Sequence, residues 1–148
     1  MSLETATFPA VWKKGLIQPV FKNNGKSSAP QSYRPIALLY SVSKVFESFV
    51  PEQLLQFCMD TGAIPDEQFG FLPKRSTVWQ LLAVLDEWEQ ALDEGHCVYA
   101  AFLDVSKAFD HVDHGLLLHK LHSVGIRNNQ LQWFKDYLQA RHICTTVN

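Results

Sequence analysis

The run Cys97–Leu103 constrains the fold of this chain most, because it is apolar at every position. A half-exposed strand alternates polar and apolar residues, whereas a continuous apolar run needs cover on both of its faces. The run begins soon after a helical pattern and stops at Asp104. It therefore predicts a buried central strand with an acidic residue at its exit.

Composition excludes several classes of protein. The chain has 148 residues, of which 47% are apolar, 19% charged and 12% aromatic, so it is long enough for one domain with a core and is not disordered as a whole. No apolar run approaches the roughly 20 residues that cross a bilayer, and the N-terminus does not resemble a signal peptide. The cysteines lie far apart, which is typical of a reducing compartment. We therefore expect no membrane association and an intracellular location, nuclear or cytoplasmic.

Charge is distributed unevenly, although the formal net charge is only −2. Residues 1–35 contain five Lys and Arg residues against one Glu, whereas residues 76–148 contain five Lys and Arg residues against nine Asp and Glu residues. A protein that merely coated nucleic acid would be basic throughout. This distribution instead predicts phosphate contacts at one end of the chain and a bound cation at the other.

The first regular elements are predicted to form a hairpin over about residues 16–39. Leu16–Phe21 and Tyr33–Leu39 are short and strand-like, and a spacer rich in Asn, Gly, Ser and Pro separates them. The spacer contains Lys26, so the tip of the hairpin is expected to be basic.

From residue 42 onward, apolar residues recur at helical spacing, which predicts helices over about 42–60 and 76–94. Pro51 lies inside the first helix and is expected to kink or divide it. Ser76 or Thr77 is expected to cap the second helix, and Gly95 to end it.

Two further helices and a strand follow the apolar run. Asp113 is expected to cap the first of these helices, and the second covers about residues 128–139. Residues 143–147 resemble the start of a strand, so we expect the chain to be truncated at its C-terminus. A hairpin, one buried strand and the helices around them together predict a fold of the α+β class.

Asp104 is the first candidate functional residue. A carboxylate at the end of a buried strand can hold a divalent cation together with backbone oxygens. In the alternative interpretation, Asp104 or Asp110 simply caps the turn that follows. Response regulators and phosphatases also place an aspartate after a strand, but Val105 and Ser106 do not match their motifs.

Several segments together carry a family resemblance. They are Trp12-Lys13 with Ile17–Lys22; Ser32–Leu39 with Lys44–Glu47; Gln68–Phe71 with Arg75–Thr77 and Gln80-Leu81; and Phe102–Asp110 with Val112 and His114. Together with Trp133, Tyr137-Leu138 and Arg141, they resemble, in the same order, the reverse transcriptases of non-LTR (LINE-type) retrotransposons. The second and third groups resemble the two fingers motifs of that family, and the fourth resembles its motif A.

The resemblance implies a right-hand polymerase fold. Residues 1–95 would form the fingers part with the hairpin and the first two helices, and residues 96–148 the start of the palm with its buried strand and motif A. The implied activity is RNA-directed DNA synthesis with two magnesium ions, an RNA template, a DNA primer and deoxynucleoside triphosphates. The family continues into motifs B and C, which this chain does not contain. We therefore expect the chain alone to be inactive, to bind Mg²⁺ weakly and to self-associate through the exposed edge of the palm strand.

The resemblance also assigns residues of the catalytic site. Asp104 matches the catalytic aspartate that binds magnesium, with the backbone carbonyl of Val105 as an added ligand. Phe109 matches the bulky residue under the sugar of the incoming nucleotide; a core aromatic is the alternative interpretation.

Four basic residues match positions that contact phosphate. Lys22 and Arg34 match the fingers cations that meet the nucleotide triphosphate, and Arg can bind phosphate bidentately. Lys74 and Arg75 fall where contact with the template backbone is expected. The alternatives are an exposed lysine on an edge strand for Lys22 and a solvated turn for Lys74 and Arg75.

A second hypothesis belongs to a different class of function. The chain would then be a catalytically dead remnant that acts, if at all, as a nucleic-acid- or protein-binding module. Zinc binding by the six histidines is not favoured, because neither zinc-finger spacing nor an HExxH pattern is present. The histidines are expected to be surface or capping residues, at positions His96, His111, His114, His119, His122 and His142.

Overall fold

The computed structural model describes residues 2–145, a mixed α+β arrangement of four α-helices and one three-stranded sheet. The elements are β1 (Lys14–Phe21), β2 (Tyr33–Leu38), α1 (Ser41–Asp60), α2 (Thr77–Asp93), α3 (His114–Ser123), α4 (Asn128–Leu138) and β3 (His142–Thr145).

The described residues fall into two compact units. The first contains residues up to Phe57 together with those from Val112 onward, and the second is Cys58–His111. The sheet, α3, α4 and most of α1 belong to the first unit, and α2 belongs to the second. The boundaries of these units differ from the predicted boundary at residue 95. The assignment of residues 1–95 to fingers and 96–148 to palm stays a prediction.

The hairpin β1–β2 forms the larger part of the sheet, whose strand order is β2-β1-β3. The two strands pair antiparallel from Leu16↔Leu38 to Phe21↔Tyr33. Pro19 lies directly opposite Pro35. Two prolines have no N–H to exchange, so this pair can occupy only a non-hydrogen-bonded position of the ladder.

The strand β3 pairs parallel with the first half of β1, from Lys14↔His142 to Ile17↔Thr145. Pro19 therefore lies beyond the segment of β1 that has a neighbour on both sides. Of the strand start predicted over residues 143–147, positions 146 and 147 lie outside the described residues.

The helix boundaries follow from local signals. The Ser76 hydroxyl accepts a hydrogen bond from the Trp79 N–H (3.3 Å) and caps α2. Gly95, with φ +80°, reverses the chain after α2, and the His96 N–H donates to the Ala91 carbonyl (2.9 Å). A residue with a Cβ adopts this left-handed conformation at a cost, which is why glycine ends so many helices.

Two expectations about helices have different outcomes. Asp113 caps α3 through a hydrogen bond from the Leu116 N–H to its carboxylate (2.8 Å). Pro51, in contrast, does not divide α1, which is a single helix from Ser41 to Asp60. Proline removes one N–H donor, so the carbonyl of Glu47 loses its helical partner while the rest of the ladder continues.

The buried strand predicted over Cys97–Leu103 is wrong. These residues form no strand, and the side chains of Tyr99, Phe102 and Leu103 are 95%, 89% and 95% exposed. A strand exists only where a neighbour completes its hydrogen bonds. The described part of the second unit contains no other strand, so apolar composition alone does not make this run a central strand.

The core of the first unit is formed by the N-terminal segment and α4. Phe8 and Trp133 are each 1% exposed, and their rings meet edge to face at 5.7 Å. The Tyr137 ring completes the contact at 5.0 Å from that of Phe8. Burial of a large aromatic side chain contributes about 1.5–3 kcal/mol, so these rings stabilise the unit substantially.

One carboxylate ties the same segment to α4 by polar contacts. Asp136 accepts hydrogen bonds from the Phe8 N–H (2.7 Å) and from the Lys13 ammonium group (2.9 Å), which is nearly buried. The ammonium group of Lys13 and the N–H of Phe8 hold the pKa of the Asp136 carboxyl below its ordinary value. The folded chain therefore favours the ionised form of Asp136.

We predict that Asp136→Asn lowers the free energy of unfolding by about 1.5–3 kcal/mol at pH 7, because charge-assisted hydrogen bonds are lost. The pKa of Asp136 is lower in the folded than in the unfolded chain, so this stabilisation is present above the unfolded value of about 4 and is lost as the pH falls through the folded value. Urea titrations of both proteins should therefore differ at pH 7 and converge in acid. Asp86→Asn, at an exposed position on α2, is the matched control; an equal loss there would contradict the prediction.

Candidate functional site

Asp104 lies in the second unit, directly after the exposed apolar run. It is exposed and precedes a turn and the short 3-10 helix Ala108–His111. The expectation that Asp104 ends a strand is wrong for the same reason as the strand itself: its own unit offers no neighbour to pair with. The carboxylate is therefore accessible to solvent rather than held at a sheet edge.

The oxygen donors at Asp104 fit a magnesium ion only in part. A carboxylate and the adjacent backbone carbonyl of Val105 are the hard oxygen ligands that Mg²⁺ prefers. Between residues 2 and 145, however, His, Cys, Asp and Glu side chains do not form a group of three or more that could hold a metal ion. Asp104 and Val105 can thus contribute ligands to a metal site but do not complete one.

Phe109 is not a core aromatic. Its side chain is 79% exposed, and its ring meets the 90% exposed ring of Phe71 edge to face at 6.0 Å. The two rings form an open aromatic pair in the second unit. An exposed ring of this kind is free to contact a flat apolar group such as a sugar or a base.

Lys22 and Arg34 belong to the hairpin of the first unit, and both are exposed. Arg34 lies opposite Val20 in the register, and the Lys22 N–H continues the ladder by donating to the Ser32 carbonyl (2.8 Å). Side chains two residues apart on a strand share a face, so Lys22 lies on the face of Val20 and Arg34. The Lys22 ammonium group also donates to the Gln31 carbonyl (2.8 Å), which holds it at the hairpin tip.

Arg75 organises the loop that leads into α2. Its guanidinium group donates to the backbone carbonyl and the carboxylate of Asp66, the latter at 3.2 Å, and lies 5.2 Å above the centre of the Phe69 ring. Its side chain is 28% exposed. Arg75 therefore is not simply a solvated turn residue, because it already has specific partners within its own unit.

Lys74 has a different environment from Arg75. It is exposed, and its backbone has φ +62°, a conformation that residues with a Cβ adopt at a cost. Lys74 and Arg75 line an open groove of about 360 Å³ together with Phe69, Trp79 and Ala83. The sequence interpretation missed Trp79; the signal was an aromatic residue four positions after a Lys-Arg pair.

Within residues 2–145, no helix has the length and apolar composition needed to span a bilayer.

Comparison with known proteins identifies the family. Residues 20–148 match the family described as Reverse transcriptase (RNA-dependent DNA polymerase). The chain is 36% identical over 119 residues to the probable RNA-directed DNA polymerase from transposon BS of Drosophila melanogaster, covering 80% of this chain and 13% of that protein. It is 39% identical over 107 residues to that from transposon X-element of the same species, covering 72% of this chain and 12% of that protein.

A third relative matches almost the whole chain. The RNA-directed DNA polymerase from mobile element jockey of Drosophila funebris is 31% identical over 146 residues, which is 99% of this chain and 16% of that protein. The chain thus spans about an eighth to a sixth of the length of these relatives. No solved structure matches the chain significantly.

We predict that Arg75→Ala loosens the loop before α2 while leaving α2 folded, because the loop loses an ion pair and a cation–π contact of roughly 0.5–1 kcal/mol each. The backbone N–H of Gln68 donates to the Pro65 carbonyl (3.1 Å). In Arg75→Ala this N–H should exchange its hydrogen with solvent several-fold faster than in the wild-type chain. Arg75→Lys should have a smaller effect than Arg75→Ala, because lysine keeps the charge but lacks the planar fork that contacts both the carbonyl and the carboxylate of Asp66.

Lys74→Gln is the matched control for this measurement by hydrogen exchange and should leave the Gln68 amide unchanged. Unchanged exchange in Arg75→Ala would show that the contacts to Asp66 and Phe69 do not hold the loop.

Proposed function

Because the chain belongs to the reverse transcriptase (RNA-dependent DNA polymerase) family, and its relatives place it among those of non-LTR retrotransposons, we propose that it supplies the nucleotide-binding hairpin and one metal-binding carboxylate of an RNA-directed DNA polymerase. The substrates would be an RNA template, a DNA primer and deoxynucleoside triphosphates. In this proposal residues 1–95 act as fingers, and residues 96–148 begin the palm.

The observation that carries this proposal is the register of the hairpin. Lys22 and Arg34 share one face of β1–β2 and are both exposed. Two cations on one rigid ribbon can contact neighbouring phosphates of one triphosphate, and the strands fix their separation before the ligand binds. Lys22 is further restrained by its contact with the Gln31 carbonyl, so less side-chain freedom is lost on binding.

Asp104 and the Val105 carbonyl would hold Mg²⁺ in the assembled site. The ion, when bound, supplies charge stabilisation to the reacting phosphate and to the attacking hydroxyl. The chain's own contribution is an exposed carboxylate, which meets the ion without first breaking a contact inside a core. Mg²⁺ keeps several waters and prefers substrate phosphates as further ligands, so affinity for the free ion would be weak.

The exposed Phe109 ring would lie under the sugar of the incoming nucleotide. It follows Asp104 by five residues, on the short 3-10 helix Ala108–His111, and the Phe71 ring packs against its side. A ring in that position would exclude a 2′-hydroxyl by its bulk. Lys74, with Arg75 behind it, would contact the template backbone.

We predict that Arg34→Gln weakens binding of a deoxynucleoside triphosphate by about tenfold, because one charge-assisted contact of roughly 1.5 kcal/mol is lost. Binding of labelled thymidine triphosphate to the 148-residue chain is the measurement, with competition by inorganic triphosphate. Affinity should fall with added salt, as it does for any phosphate contact.

Lys44→Gln, which removes an exposed cation from α1, is the matched control and should retain wild-type affinity. Equal affinity of Arg34→Gln and wild type, or an equal loss in both variants, would remove the hairpin from the proposed nucleotide site.

A second candidate function, a module that binds another protein or a second copy of itself, is favoured by exposed apolar surface in the second unit. The side chains of Tyr99, Phe102 and Leu103 are almost fully exposed, and α2 has no buried residue. Contiguous apolar patches of this kind usually mark association surfaces. We therefore propose self-association of the purified chain through residues 97–103.

Sedimentation velocity of the purified chain should show a weight-average mass that rises with protein concentration. Phe102→Asp should shift this equilibrium toward the monomer, because a charge on the association surface must be desolvated. Val11→Asp, at an exposed apolar position of the first unit, is the matched control. A wild-type chain that stays monomeric at all concentrations would overturn this candidate.

A further inference from the structure

The groove at the start of α2 combines aromatic and basic side chains, and its aromatic side chains have no role in the proposed nucleotide site. Its lining combines two aromatic rings with two cations: Phe69, Lys74, Arg75 and Trp79, with Ala83 as its floor on the helix. All five residues belong to the second unit. Aromatic rings interleaved with cations are the usual surface for single-stranded nucleic acid, in which bases stack and phosphates meet positive charge.

Trp79 is 64% exposed, and it does not belong to the apolar stripe of α2. At about 100° per residue, the stripe formed by Val78, Leu82 and Leu85 covers one side of α2. Trp79 lies about 100° from Val78, on the side that also carries Asp86 and Gln90. A helix that later buries its stripe would still leave this ring at the surface.

The two cations of the groove are not equivalent. Arg75 is engaged with Asp66 and covers one face of Phe69, so it fixes the wall of the groove. Lys74 is exposed beside it. Further along the same side of α2 the residues become acidic, beginning with Asp86, so phosphate can approach only the first turn of the helix. The groove therefore has room for one or two nucleotides rather than a long track.

We propose that Trp79 stacks an unpaired base of single-stranded nucleic acid, while Lys74 contacts the adjacent phosphate. This inference rests on the proposed function and deepens it, because it gives the template strand a contact with a base as well as with its backbone. Stacking accepts every base, since each has a flat face, so the contact would add affinity without sequence preference.

The test is the fluorescence anisotropy of a labelled single-stranded RNA of about ten uridines, titrated with the 148-residue chain at low salt. Trp79→Ala should weaken binding between about fivefold and a hundredfold, the range that loss of a stacked base produces. Trp79→Phe should retain most of the affinity, because it keeps a ring. Phe49→Ala removes a ring of similar exposure (58%) on α1, outside the groove, and it is the matched control that should bind as wild type does.

Two further measurements separate stacking from a loss of structure or of charge. An oligomer of the same length without bases should bind wild type and Trp79→Ala equally, since it offers nothing to stack. Lys74→Gln should reduce the slope of log affinity against log salt by about 0.7, whereas Trp79→Ala should leave that slope unchanged.

The outcomes distinguish this inference from the proposed function. If Trp79→Ala binds the RNA as well as wild type while Lys74→Gln binds it more weakly, the stacking role is overturned and the template contact stands. If Trp79→Ala weakens binding of the base-free oligomer equally, the role of Trp79 is structural and the inference is overturned. If the wild-type chain does not bind the RNA at low salt, both the inference and the proposed template contact are overturned.

Discussion

The first unit depends on the carboxylate of Asp136, which accepts hydrogen bonds from the Phe8 N–H and the Lys13 ammonium group. Lys13 immediately precedes β1, so the position of the first residue of that strand is set from α4. β1 in turn is the central strand to which β2 and β3 are hydrogen-bonded. The strand that carries Val20, the register partner of Arg34, is therefore anchored at its start by a contact between the N-terminal segment and a helix more than 120 residues later.

The second unit, in contrast, depends on hydrogen bonds between residues that are close in sequence. Its helix α2 is capped at both ends by local hydrogen bonds and is therefore well formed without a packed face. The run Cys97–Leu103 has no comparable local source of hydrogen bonds, because the backbone groups of a strand bond to those of a neighbouring strand. A helix can thus persist in a unit with few contacts, whereas a strand cannot, and this difference in where backbone groups find partners explains why one element is present and the other absent.

The same difference separates what the sequence predicts from what it does not. Helix ends at Ser76, Gly95 and Asp113 follow from residues within one turn, and the hairpin follows from a turn-rich spacer between two short apolar segments. The contact of Phe8 and Lys13 with α4 has no local signature, since its partners lie far apart in sequence. The family resemblance from the collinear motifs is confirmed by the match over residues 20–148. The role of each site residue depends on its contacts with nucleotide, metal and template, and the packing of the chain does not determine those contacts.

Arg75 has a structural role through Asp66 and Phe69 that exists beside its proposed role in template binding. An arginine that contacts a carboxylate and a ring is held in place, and its charge would offset that of Asp66 for a phosphate bound at the proposed site. Its neighbour Lys74 is exposed and flexible, so it can follow a phosphate at modest cost in side-chain freedom. In the proposed template site, the two adjacent basic residues would therefore not be interchangeable. Arg75 would fix the shape of the surface, and Lys74 would supply the charge that a nucleic acid meets.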